Sequence, residues 1–353
     1  MYAGHDYRRF QRRKGLYIGA FAVLLVGSGL FAISVGSADI SLADVFYTLV
    51  SRFTPASYQV EELSQNIIME LRLPRVLMAI VAGAGLAMAG VLLQALLKNP
   101  LASPYTLGIG SAASFGAALA LILGVGVTGS TGFAGKWMIA GNAFLTSLIP
   151  AAVIFALVRY KSAKASTMVL AGIAMMYLFS ASTSLLQYVG SEDEVTAVVY
   201  WMFGSLSRTT WESLAIVTLV TVPMFLVAFR LSWDLNAILQ GEDVAKSLGV
   251  DTLKLRGGGM VAASLVTGVT IAFLGTIGFI GLVAPHIARM LIGSDHKYLI
   301  PAAALLGSVL LVASDAIART VISPTVLPVG IVTSFMGVPL FFYLILRRRR
   351  EYW

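Results

Sequence analysis

The sequence predicts an all-α polytopic membrane protein with ten transmembrane helices and both termini cytoplasmic, and three observations lead there. Of 353 residues, 58% are hydrophobic and only 12% are charged, more apolar side chain than a soluble domain of that length can bury. Stretches of 17 to 37 residues lack Asp, Glu, Lys and Arg altogether, whereas about 20 apolar residues suffice to cross a bilayer core as a helix. The basic residues behind the net charge of +8 stand in short clusters beside these stretches, a placement that orients membrane spans and does not suggest nucleic-acid binding. A β-barrel would need apolar and polar residues in alternation, which is absent. With no cysteine in the chain, disulfides, thiolate metal sites and cysteine nucleophiles are excluded. The first apolar segment is too long for a signal peptide and no small-residue cleavage site follows it.

Each span follows from local charge. Arg8, Arg9, Arg12, Arg13 and Lys14 precede span one, Leu16 to Gly36, and fix its start inside. Ser37 to Leu73 holds Asp39, Asp44, Glu61, Glu62 and Glu70 and is expected outside, with an interfacial helix. Pro74 opens span two, which runs inward to Leu97 before Lys98. The 37 residues from Asn99 to Gly135 carry no charge, too many for one helix. They divide into an inner loop, Asn99 to Pro104, span three, and a glycine-rich outer loop, Gly124 to Gly135.

Span four, Trp137 to Val158, returns to an inner loop with Arg159, Lys161 and Lys164, and span five, Ala165 to Tyr188, leads out to Glu192, Asp193 and Glu194. Val195 to Ser207 is too short to cross and is expected in the outer interface. Span six is Trp211 to Leu231. From Gly257 to Ala288 there are 32 residues without an acid, Lys or Arg, about 48 Å as one helix against about 30 Å of hydrocarbon. An even number of crossings must fit, so span seven, a turn at Gly278 to Gly281 and a short span eight from near Pro285 are predicted. Span nine, Tyr298 to Ala318, and span ten, ending at Arg347 to Arg350, complete the set. Under this assignment 19 of 25 Lys and Arg lie inside and 10 of 17 Asp and Glu outside, the expected asymmetry. Spans two and seven start on opposite sides and each precedes a glycine-rich break with a proline, the pattern of an inverted repeat.

Between spans six and seven lies the one long polar interruption, Trp233 to Arg256. Asn236 or Asp234 is expected to cap a short helix through Gln240, and Glu242 to Leu248 offers a second turn that stops at Gly249. Gly241, Ala245 and Gly249 recur every fourth position, so on a helix they would share a face where a second protein could approach closely. A solvated connector is the alternative.

Little points to catalysis. The three histidines, His5, His286 and His296, are far apart in sequence, and no metalloprotease, nucleophile-elbow or Walker signature occurs. No cofactor or metal is implied, and ATP hydrolysis would have to come from a partner. Asp315 is the one acid expected within a span, with Arg319 one turn on as its ion-pair partner.

Four stretches, LRLPRVLMAIVAGAGLAMAGVLLQALLKNPLASPYTLGIGSAASFG, GEDVAKSLGVD, GFIGLVAPHIARMLIGSDHKYLIPAAALLG and LPVGIVTSFMGVPLFFYLILRRR, resemble the permeases of the ferric-siderophore, haem and cobalamin importers of the ATP-binding cassette class. The resemblance extends from about Val35 to Arg350. It implies one permease domain over residues 1–353 of the type II importer fold, paired with a second permease subunit, two cytoplasmic ATP-binding subunits and an extracytoplasmic substrate-binding protein. It further implies that residues 233–256 are the coupling helices, with Gly241, Glu242, Ala245, Leu248 and Gly249 at the ATPase. Arg72, Arg75 and Arg319 resemble the outward arginines that meet acidic lobes of the binding protein, interfacial snorkelling being their other reading. Asn99 and Leu101 resemble an inner gate, although a plain turn also explains the NPLAS motif, and Ala165 with Ser166 fall at a second constriction. Gln94, Gly83, Ala87 and Gly90 read as helix packing. Met175, Met176 and Tyr177 either line a channel or pack against a neighbour. A ferric siderophore is the expected cargo, with haem or cobalamin as alternatives.

Overall fold

The computed structural model describes residues 2–36, 38, 40–51, 60–126, 133–161 and 165–346. These form α1 (Tyr2–Ser34), α2 (Leu42–Val50), α3 (Glu62–Asn66), a wider π-type stretch (Ile67–Arg72), α4 (Leu73–Leu96), α5 (Ile109–Ile122), α6 (Phe133–Lys161), α7 (Ala165–Val189) and α8 (Glu192–Met202). There follow α9 (Trp211–Arg230), α10 (Ser232–Leu239), α11 (Glu242–Ser247), α12 (Thr252–Leu274), α13 (Ile280–Ile292), α14 (His296–Thr320) and α15 (Val329–Leu346). No strand occurs among the described residues. Asp39, Lys164, Arg347 to Arg350 and much of the loop Gly124 to Gly135 lie outside them.

Seven segments are long and apolar enough to cross a membrane, and three shorter apolar helices, α5, α13 and α15, stand where spans three, eight and ten are expected. In α4, α12 and α14, 72 to 78% of the most apolar window is buried, against 22 to 39% in α1, α6, α7 and α9. The first three therefore make the centre, and the other four surround it. Small residues allow this. A side chain at Gly83 would strike the backbone of Gly307 and Ser308 on α14, and one at Gly90 the backbone of Gly281 on α13. Ala87 is wholly buried on the same face. Close backbone approach is how helices gain van der Waals contact where lipid leaves little hydrophobic drive.

Three expectations need correction. Pro74 does not open the second span, because α3 and the π-type stretch run straight into α4. Proline has no N–H and crowds the carbonyl four residues before it, and the widened turn just upstream relaxes that register. The turn after α12 overlaps the expected Gly278 to Gly281 but starts earlier, running from Gly275 (φ 73°) to Phe279 (φ 66°), and α13 starts at Ile280 with Pro285 in its second turn. Finally, neither Asn236 nor Asp234 caps α10, whose N-cap is Leu231 with no side-chain bond. The helix that carries span one is already formed from Tyr2, with its apolar segment at Gln11–Ser34.

Both predicted breaks exist. After α4 the chain turns through Lys98 (φ 47°) before the 14 residues of α5, and after α12 it turns before the 13 residues of α13. Helices that short reach only about 20 Å. The break between α12 and α13 is tied to the segment after α8: Ser205 N–H donates to Leu274 O at 2.7 Å, and the Thr276 hydroxyl donates to Met202 O. Non-helical backbone at membrane depth requires such partners.

Candidate functional site

The polar interruption folds into α10 and α11, two short helices hinged at Gly241 (φ 131°) and closed by Gly249 (φ 83°), where the left-handed backbone ends α11. Leu235, Ile238 and Ala245 are wholly buried in the main core and seat the pair on the bundle. Trp233 (71% exposed), Leu248 (67%) and Val244 (44%) face outward. Gly241 and Gly249 flank α11 without belonging to it, so with Ala245 they do not form one helical face. Ala245 touches its own core, and an approaching protein would meet Trp233, Val244 and Leu248 instead.

Glu242 ties α11 to α12, with its carboxylate 3.2 Å from Arg256 Nη2 and 3.6 Å from Lys246 Nζ. Partial burial works against its charge, but Arg256 and Lys246 outweigh that and hold its pKa below the ordinary carboxylate value. Asp251 caps α12 by accepting the Lys254 N–H at 3.0 Å. That backbone bond, with the Lys254 side chain, lowers its pKa.

Beneath this knob are partly buried polar contacts that the sequence does not reveal. Asn236 bonds Asp295 and His296 at the start of α14, Lys14 of α1 lies 3.7 Å from Asp295, and Arg289 of α13 donates to Gln94 of α4 at 3.2 Å. Gln94 thus does more than pack. Its presence with Arg289 inside apolar helices was the available signal.

At the opposite end of α14, Asp315 is fully buried between two guanidiniums. Arg75 Nε reaches both its oxygens at 2.9 and 3.1 Å, and Arg319 Nε lies 3.0 Å from Oδ2, the ion pair expected from the spacing. Arg319 also donates to Ala32 O and Val35 O at 2.7 Å, while Arg72 donates to Ile33 O, Ser34 O and Ala38 O at 2.6 to 2.8 Å. The two arginines therefore satisfy the last carbonyls of α1, which have no helical partners. Arg72 and Arg319 are 6 and 7% exposed. Each of these three guanidiniums is engaged within the chain.

At the first break, Asn99 Oδ1 accepts the Leu101 N–H at 2.9 Å, a side-chain turn that leaves Leu101 exposed. Ala165 opens α7 against the main core and Ser166 is exposed. The two breaks flank a cavity of about 560 Å³ lined by Tyr105, Met202, Thr276, Gly278, Ser334 and Phe335. Its wall is apolar with scattered hydroxyls. Tyr177 is exposed on α7.

The FecCD transport family matches residues 24–347. An ABC transporter permease protein of Methanocaldococcus jannaschii is 42% identical over 345 residues, covering 97% of each chain. The hemin transport system permease protein of Yersinia pestis is 33% identical, covering 95% of this chain and 97% of its own. Among solved structures, a metal-chelate type ABC transporter in an inward-facing conformation superposes with a TM-score of 0.81 at 30% identity, covering 94% of this chain and 98% of that one. The apolar helices and these relatives make the protein a multi-pass component of the plasma membrane. With the match spanning nearly its whole length, the chain belongs to the FecCD transport family.

Proposed function

We propose that this chain is the membrane-spanning permease of an ATP-driven importer that carries a metal chelate of the siderophore type into the cytoplasm, through ten crossings with both ends inside. It works with a second copy of itself, two cytoplasmic ATP-binding subunits and an extracytoplasmic substrate-binding protein. The observation that carries the reading is the knob: an apolar patch of Trp233, Val244 and Leu248 held clear of the bundle on a buried seat, as a protein-docking surface requires. Asn99, Leu101, Ala165 and Ser166 belong to the inner end of the pathway in this reading, and the apolar cavity beside the breaks suits a large chelate whose metal is already wrapped by its own ligands. Haem or cobalamin is the alternative cargo, supported by the hemin permease at 33% identity and a cobalamin permease at 36%.

An ion-coupled transporter would need an acid free to bind its coupling ion within the spans. Asp315 is the one fully buried acid among the described residues, and Arg75 and Arg319 occupy it. To test the docking, the ATP-binding subunit is co-expressed and purified through a tag on the permease. Leu248→Glu should abolish its recovery while the permease keeps its melting temperature. Full recovery from the double variant Trp233→Glu, Leu248→Glu would exclude the knob as the docking surface. Ferric-siderophore, haem and cobalamin arms of an uptake assay in vesicles then separate the cargoes.

A further inference from the structure

A protein docked on the knob moves the bundle only through the contacts that tie the knob to the long helices. Leu235 and Ile238 supply the apolar part of that tie. Apolar contact is non-directional and tolerates sliding. The polar part is Glu242, which pairs with Arg256 of α12, and Asn236, the residue of the knob whose side chain bonds the start of α14. Its Oδ1 accepts the backbone N–H of His296 at 2.9 Å and lies 2.8 Å from His296 Nδ1, while its Nδ2 donates to Asp295 Oδ1 at 2.9 Å. A carboxamide oxygen can only accept, so His296 Nδ1 carries the ring proton. The first N–H groups of a helix lack partners inside it. Here the N-cap Asp295 answers Lys297 at 3.2 Å, and a residue of the knob answers His296.

The helix gripped in this way is the one that reaches farthest. With 25 residues α14 is about 37 Å long. It packs along α4 through Gly83 and Gly307, and at its far end Asp315 and Arg319 hold Arg75 of α4 and the end of α1. We propose that Asn236 is the positioning residue of energy coupling: it transfers displacement of the docked knob to α14, which carries it as a rod to the arginine cluster and so to α1 and α4. This rests on the knob being the ATPase docking surface.

The chain has no cysteine, so paired spin labels can be placed at Tyr188→Cys, ending α7, and Val321→Cys, just past α14; both sites are exposed. The distance between them is measured by pulsed electron paramagnetic resonance in the complex with the ATP-binding subunit, with and without ATP plus vanadate. The parent should show a nucleotide-dependent shift. Asn236→Leu, branched at the same carbon but without the bonds, should still recover the ATP-binding subunit yet lose the shift. Should the leucine variant not fold, Asn236→Ala, which leaves the seat of Leu235 and Ile238 in place, is read the same way. A shift of parental size in Asn236→Leu or Asn236→Ala overturns the proposal, as does no shift in a parent that carries the ATP-binding subunit. A parent that never recovers that subunit removes the docking reading and this proposal together.

Discussion

At its His296 end α14 meets a carboxamide on a short, partly exposed helix and a half-exposed Asp295 beside Lys14, whereas at its Asp315 end a fully buried carboxylate lies between Arg75 of α4 and the helix's own Arg319. A neutral hydrogen bond contributes about 1 kcal/mol net, but removing one member of a buried ion cluster costs about 3 to 5 kcal/mol because the remaining charge is left uncompensated. The two ends of one helix are thus held with different firmness. The difference assigns them different tasks: the far end is an anchor that keeps α1, α4 and α14 in one body, and the knob end is where a modest force can act.

The sharpest way to break this comparison is at the anchor. Asp315→Ala leaves Arg75 and Arg319 buried beside each other without their shared carboxylate, and the expected destabilisation is about 3 to 5 kcal/mol, read as a lowered melting temperature in detergent. Asn236→Ala should cost about 1 kcal/mol in the same assay. If the two losses were equal, the anchor and the articulated end would not differ.

Next in size is the stretch between the ends. Gly83→Val drives a side chain into the backbone of Gly307 and Ser308, where neither helix can yield by rotating a side chain. Overpacking of this kind costs about 1 to 3 kcal/mol. Because the rod reading needs α4 and α14 in register, the variant should also release Arg75 from Asp315, and a Gly83→Val, Asp315→Ala double variant should lose less than the sum of the single losses. Strict additivity would mean that the packed middle and the anchored end are independent. Asp251→Ala, which removes the cap of α12, comes third with a small drop in melting temperature, and since Asp251 lies in the knob the loss should leave the anchor untouched.

How much of this was legible follows from the range of each interaction. Hydropathy and charge alternation located the apolar helices and both breaks, because burial in lipid acts on every residue of a span. The Asp315 to Arg319 pair was legible because both sit on one helix, four residues apart. Arg72, Arg75 and Asn236 were not, since their partners lie in other elements: Arg72 bonds residues 33, 34 and 38, Arg75 bonds Asp315, and Asn236 bonds residues 295 and 296. A capping residue read from sequence was assumed to cap its own helix, and here it serves another. The small residues Gly241, Ala245 and Gly249 misled for a related reason, as helical spacing was counted through two glycines whose positive φ places them outside the helix.

The smallest expected effect separates the knob from the anchor by pH. Glu242 has a pKa below its ordinary value of 4.5 because Arg256 and Lys246 stand beside it. A carboxylate whose folded pKa is depressed adds stability that is complete above the unfolded pKa and is lost as pH falls through the folded one. Glu242 is 39% exposed, so solvent screening holds the contribution to roughly 0.5 kcal/mol. Glu242→Gln should therefore melt slightly below the parent at pH 7. The gap should narrow below about pH 4.5 and shrink at high salt. A gap that stays constant with pH would mean that the Glu242 side chain acts through packing and not through its charge, and the knob would then be held to the bundle by Leu235, Ile238, Ala245 and Asn236 alone.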